Sequence, residues 1–169
     1  ETNAGTYSVY YKVIASENYE GVDECATPIQ VTIAKAKVTK PTVTTTSFEY
    51  DGNAHSLAIA QSDLYTITGN TLTAKGSTNV TVALNDKTNY CWNDDSTDNL
   101  TFTLTVTGKV ITAPTANNQT FTYSKQAQNY FASTGAGYTL ENNTQTNAGT
   151  YTVKAILSDK TNTVWSSGG

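Results

Sequence analysis

Leu100-Thr101-Phe102-Thr103-Leu104-Thr105-Val106-Thr107 alternates an apolar residue with a threonine over eight positions. A period of two is the spacing of a half-buried β-strand, because successive side chains point to opposite sheet faces. Ile29, Val31 and Ile33 repeat the pattern, as do Val80, Val82 and Leu84, and then Val153, Ala155 and Leu157. Threonine suits such strands, since its branched Cβ has already lost χ1 freedom. No stretch reads as a convincing helix, so the chain is expected to be all-β. The predicted core between residues 37 and 108 is Phe48, Tyr50, Val80, Val82, Leu84, Phe102, Leu104 and Val106. A helix through residues 56–70 would instead indicate a β-grasp-like unit.

The strands are written into the chain more than once. Phe48, Tyr50, Ala54, Tyr65, Asn70, Gly76, Val80, Leu84, Asp86, Lys87, Thr88, Asn89 and Trp92 reappear, always 73 positions on, at Phe121, Tyr123, Ala127, Tyr138, Asn143, Gly149, Val153, Leu157, Asp159, Lys160, Thr161, Asn162 and Trp165. Thr2-Asn3-Ala4-Gly5-Thr6-Tyr7 matches Thr146-Asn147-Ala148-Gly149-Thr150-Tyr151 at a shift of 144. Self-similarity of this kind marks an array, which supplies length or repeated surface more readily than a single reaction centre. About six or seven short strands fall in each period, the number expected of a small antiparallel β-sandwich. The expected division is therefore residues 1–36 as the tail of a first repeat, 37–108 as a complete repeat and 109–169 as a third lacking its final strand. Ala34-Lys35-Ala36 and Thr107-Gly108-Lys109 join the units without a Gly/Ser linker, which predicts a semi-rigid rod.

Turn signals separate the strands. Asp51-Gly52 suggests a type I′ hairpin turn, in which both central residues need positive φ, while Ser124-Lys125 at the same phase implies a longer or different turn. Asn3-Ala4-Gly5 and Asn147-Ala148-Gly149 read as turns with a left-handed glycine.

The 169 residues contain ten lysines, no arginine, no methionine and one histidine, with a formal charge of −4. The lack of guanidinium groups and the negative charge argue against nucleic-acid recognition. No run approaches the roughly 20 apolar residues that span a bilayer, so membrane insertion is not expected. Glu1-Thr2-Asn3 opens in mid-motif without a basic, apolar leader, and the chain reads as a segment of a longer protein.

Phe48-Glu49-Tyr50-Asp51-Gly52, Asn147-Ala148-Gly149-Thr150-Tyr151-Thr152-Val153 and Asn89-Tyr90-Cys91-Trp92-Asn93-Asp94 resemble the MBG/YDG-type and Ig-like tandem repeats of large bacterial surface proteins and adhesins. The resemblance covers essentially the whole chain. It implies extracellular, cell-surface, mainly β stalk modules without catalytic activity, some of them β-grasp rather than Ig-like. The second period departs from it by losing the Asp-Gly turn, and the first has Glu20-Gly21 in place of Cys91-Trp92.

Candidate chemistry is sparse. Cys25 and Cys91 fall in different periods, too far apart for the ~6 Å Cα separation of a disulfide, so two free thiols are expected. In loop 93–99, Asp94, Ser96 and Asp98 alternate with Asn93 and Asn99 at the ends, an oxygen-rich pattern used by Ca²⁺ loops; it lacks the glycine and distal glutamate of an EF-hand, and a solvated turn is the default. His55 has Gln128 at the same phase, which cannot act as a base. Asp23-Glu24 and Asp94-Asp95 are adjacent loop carboxylates, not a pair facing across a cleft. Tyr50, Tyr65 and Trp92 recur with the period as core residues would, leaving Tyr10, Tyr11, Tyr130 and Phe131 as surface candidates for glycan stacking. The threonine row at 101–107 is one strand long, too short for an ice-binding array. No catalytic, cofactor-binding or metal-ligating set is expected. Expected partners are neighbouring repeats of the same parent chain, with a glycan or host-protein ligand as the alternative.

Overall fold

A computed structural model describes residues 1–168 and contains fourteen β-strands and no α-helix among them. The strands are β1 (Gly5–Val9), β2 (Ile29–Ile33), β3 (Ala36–Val38), β4 (Ser47–Glu49), β5 (Tyr65–Thr68), β6 (Gly76–Leu84), β7 (Tyr90–Trp92), β8 (Leu100–Thr107), β9 (Lys109–Ile111), β10 (Gln128–Asn129), β11 (Tyr138–Glu141), β12 (Thr144–Gln145), β13 (Lys154–Leu157) and β14 (Thr163–Trp165). The chain is all-β, as the alternation predicts, and the helix over 56–70 that would have marked a β-grasp unit is absent. Two compact units are present, each assembled from separated stretches.

The first unit comprises Glu1–Thr42, Ile59–Thr68 and Thr81–Thr101. β1 and β2 pair antiparallel, Gly5 opposite Ile33 and Val9 opposite Ile29. β5 pairs antiparallel with the end of β6, Tyr65 opposite Leu84 and Thr68 opposite Thr81. β3 lies parallel to β7, Val38 beside Trp92. Val38, Ile59, Tyr65, Val82, Leu84, Cys91 and Trp92 are buried here. Trp92, with no exposed surface, is the largest of them; its indole N–H donates to the Asp98 carbonyl at 2.7 Å, which satisfies the one polar atom of a ring that is otherwise core.

The second unit comprises Val43–Ala58, Gly69–Val80 and the chain from Phe102 onward. β4 lies parallel to the end of β8, Phe48 beside Val106. β11 pairs antiparallel with β13, Tyr138 opposite Leu157, and β9 lies parallel to β14, Ile111 beside Trp165. Leu57, Val80, Leu104, Val106 and Ile111 are its buried apolar residues. Along β8 burial alternates, Leu104 and Val106 being buried between less buried threonines at 103, 105 and 107, and Val80 is buried on the part of β6 that belongs to this unit.

Several expectations are corrected. Phe48, Tyr50 and Phe102 are half-buried, while Leu57, Ile59, Val38, Cys91 and Ile111 join the core instead. The strand pairing is not purely antiparallel, because β3, β4 and β9 each enter beside a strand that runs the same way. Asp51-Gly52 is not a type I′ hairpin: only Gly52 has positive φ, and the Asp51 carboxylate accepts the Asn53 N–H at 2.8 Å, closing an Asx turn. Lys125 occupies the same phase with φ of 65°, so the second occurrence keeps a left-handed residue there and not a longer loop. Gly5 and Gly149 are not left-handed. They are glycine because the ring of Tyr7 or Tyr151 folds back over them; a Cβ on Gly149 would stand 2.9 Å from the Tyr151 hydroxyl.

Candidate functional site

The residues that recur most strictly build one local structure twice. In the loop after β6, the Asp86 Oδ1 accepts the N–H groups of Thr88 (2.9 Å) and Asn89 (3.1 Å), and Oδ2 accepts the Asn89 Nδ2–H at 2.8 Å. An aspartate suits this position because its short side chain can satisfy backbone donors two and three residues on. These hydrogen bonds, led by the one from the Asn89 side chain, hold the Asp86 carboxyl below the usual carboxylate range. They also fix the Asn89 amide, whose Oδ1 accepts the Ala4 N–H at 2.7 Å and whose Nδ2 donates to Asn3 Oδ1 at 3.1 Å. The Asn89 carbonyl in turn accepts the Ala36 N–H at 2.8 Å, and Lys35 Nζ donates to the Lys87 carbonyl at 2.6 Å. One loop thus clasps the turn before β1 and the link between β2 and β3.

The second clasp lies 73 residues on. Asp159 Oδ1 accepts from Thr161 N (3.1 Å) and Asn162 N (3.0 Å), and Oδ2 accepts from Asn162 Nδ2 at 2.9 Å. The same cause, the Asn162 side-chain hydrogen bond first, lowers the Asp159 carboxyl. Asn162 Oδ1 accepts the Lys75 N–H at 3.0 Å, and the Asn162 carbonyl accepts the Lys109 N–H at 2.9 Å. Lys75 precedes Gly76 as Ala4 precedes Gly5. Contact is close, since a Cβ on Gly108 would meet Val164 Cγ1 at 3.0 Å and Lys75 Cδ at 3.2 Å.

A second asparagine device recurs as well. The Asn70 amide accepts Leu57 N–H at 2.7 Å and donates to the Leu57 carbonyl at 2.9 Å; the Asn143 amide does the same to Phe131, at 2.8 and 2.9 Å. A side-chain amide here takes the place of a neighbouring strand's peptide group.

The first clasp borders an open depression of about 360 Å³ lined by Thr2, Ile33, Ala34, Asp86 and Tyr90, among others, with no nucleophile held against a base. His55 stacks on Phe48 at 4.9 Å and its Nε2 lies 3.1 Å from Asp51 Oδ1, an arrangement that secures the corner after β4. In loop 93–99 the Asp94 and Asp95 carboxylates each have a separate lysine partner. Asp94 meets Lys40 Nζ at 2.5 Å, which holds its carboxyl at about 2, and Asp95 meets Lys37, whose ammonium is raised by that hydrogen bond. The Asp98 carbonyl is taken by Trp92. No group of three or more His, Cys, Asp or Glu side chains converges among the described residues. Cys25 and Cys91 are both free, the first half-buried and the second buried.

Of the aromatic candidates, Tyr10 and Tyr11 are exposed, together with Tyr19. Tyr130 and Phe131 are half-buried and engaged: their rings meet edge to face at 4.5 Å, and the Tyr130 hydroxyl bonds to Asn117. The strict recurrence of Asp-Lys-Thr-Asn was the signal for the clasp. Loop residues that only face water have no reason to be kept, and a polar run kept whole implies that its side chains touch something. No protein-family model, curated protein or solved structure matches this chain.

Proposed function

We propose that the chain is a structural stalk module: serial, non-catalytic β units of about 73 residues that extend an extracellular bacterial surface protein or adhesin and hold another part of it away from the cell. The single observation that carries this reading is the clasp, in which an identical Asp-Lys-Thr-Asn loop grips the turn and link of the preceding segment at Asn89 and again at Asn162. A spacer needs the same junction at every step, and it needs neither a reactive centre nor a deep pocket. The resemblance to MBG/YDG-type and Ig-like tandem repeats points the same way, with small β-sandwich units as the finer architecture.

The test is amide exchange at the junctions. Asn89→Ala should speed exchange of the Ala4 amide and leave Lys75 unchanged, and Asn162→Ala should do the reverse. Were neither substitution to alter exchange, the clasp would be decorative and the stalk reading would lose its support. A binding module is the second reading, favoured by exposed Tyr10, Tyr11 and Tyr19 in one stretch. A glycan array hit abolished by Tyr10→Ala with Tyr11→Ala would establish it over the spacer.

A further inference from the structure

We infer that this chain bears tension along its length, and that its two recurring parallel pairs, β3 with β7 and β9 with β14, are the parts that carry the load. The inference deepens the stalk reading and rests on it. β3 lies beside β7 with Val38 next to Trp92, and β9 lies beside β14 in the same register, with Ile111 next to Trp165. Further backbone hydrogen bonds close each pair at both ends. In the first, the Ala36 N–H donates to the Asn89 carbonyl at 2.8 Å and the Asn93 N–H to the Val38 carbonyl at 2.9 Å. In the second, the Lys109 N–H donates to the Asn162 carbonyl and the Ser166 N–H to the Ile111 carbonyl, both at 2.9 Å.

What a pull does to a strand pair follows from strand direction. When the chain is drawn out, the earlier strand of a pair is pulled toward the N-terminus and the later one toward the C-terminus. Two strands that run the same way then slide along each other, every rung stretches at once, and the pair parts only when its hydrogen bonds fail together. An antiparallel pair pulled at one end peels, a rung at a time. β1 and β2 are of that kind, because Gly5 is opposite Ile33 and tension reaches both at the same end. The parallel pairs also take the chain between their strands out of the load path. Residues 39–89 and 112–162 are bypassed, since the rungs pass force directly from β3 to β7 and from β9 to β14.

Packing and side chains reinforce the pairs. Val38, Cys91 and Trp92 are buried in the first, and Ile111 and Thr163 in the second, which limits the access of water to the rungs. At one end of the first pair, Lys35 Nζ donates to the Lys87 carbonyl at 2.6 Å; at the other, Lys37 pairs with Asp95 and Lys40 Nζ meets Asp94 at 2.5 Å. These contacts join the flanks of the same two strands, so the same sliding stretches them.

The experiment holds the intact chain at constant force between handles coupled without thiol chemistry, in two arrangements. Handles at the two ends of the chain shear both parallel pairs. Handles at exposed Thr39 and Asn93, which follow β3 and β7 at the same end, peel the first pair. The readout is labelling of Cys91, buried in the middle of β7, by a fluorescent thiol reagent. At equal force, the time before Cys91 reacts should be about tenfold longer when the ends are pulled. Under end-to-end load, residues 5–33 should open in an earlier, shorter extension step that leaves Cys91 unlabelled. Equal lifetimes in the two arrangements, or Cys91 labelling before residues 5–33 open, would each overturn the inference. Amide exchange at Ala4 and Lys75 is read without load and reports the clasps separately, so loss of the shear difference leaves the stalk reading standing.

Discussion

Gly69 and Asn142 show how one backbone requirement is met by two residues. Both have positive φ, 74° and 59°. A Cβ on Gly69 would lie 2.5 Å from the Asn79 carbonyl oxygen, while the Asn142 Nδ2 donates to the Thr152 carbonyl, the group in phase with it, at 3.3 Å. Asparagine tolerates the left-handed region where there is room, and glycine is needed where a carbonyl closes the space. Gly69→Ala should therefore destabilise by about 1–3 kcal/mol, read as a lower midpoint in thermal unfolding, and Asn142→Gly should stay within about 0.5 kcal/mol. The two recurring tryptophans should differ as well. Trp92 is fully buried, so Trp92→Ala should cost about 3–5 kcal/mol. Trp165 is half-exposed, and the same change there should cost less in a denaturant titration.

At the scale of the element, the Asp-x-x-Asn loops make stability depend on pH. The Asp86 and Asp159 carboxyls are depressed in the folded chain, and Asp94 lies at about 2. A carboxyl with a lowered folded-state value binds its proton more readily when unfolded, so its contribution is complete above the unfolded value of about 3.9 and fades as pH falls through the folded one. The thermal midpoint should be flat above about pH 5 and decline between about pH 4 and 2. The double variant Asp86→Asn, Asp159→Asn should show a shallower decline, measured by circular dichroism against pH; an unchanged slope would remove the clasps as its source. Asp94 is exposed and Asp86 and Asp159 are half-buried, and salt should weaken the effect.

For the whole molecule, the thiols give a direct check. Cys91 is 3% exposed and Cys25 is half-buried, and both are free. The native chain should label at Cys25 first, and unfolding without reductant should release both groups. A mass two daltons below that of the reduced chain would contradict this. A buried thiol reacts slowly whatever its chemistry, so the rates report packing.

Alternation and period were written in the sequence. Leu104 and Val106 against Thr103 and Thr105 required a strand with one dry face, because side-chain direction in a strand depends only on parity; constant spacing singled out Tyr65 and Trp92, which are buried, whereas Tyr138 and Trp165 at the same phase are half-buried. Leu57 and Ile59 carry the same alternation beside His55, but too briefly to stand out from a loop. Strand direction was not legible: β3, β4 and β9 run parallel to their partners, and those pairings join residues far apart in the chain, which no local pattern encodes. The Asp-Lys-Thr-Asn loop announced itself by recurrence, but its target did not. Only the tertiary structure brings Asn89 to Ala4 and Asn162 to Lys75, since a hydrogen bond between residues that far apart in the chain is set by packing and leaves no local pattern to read.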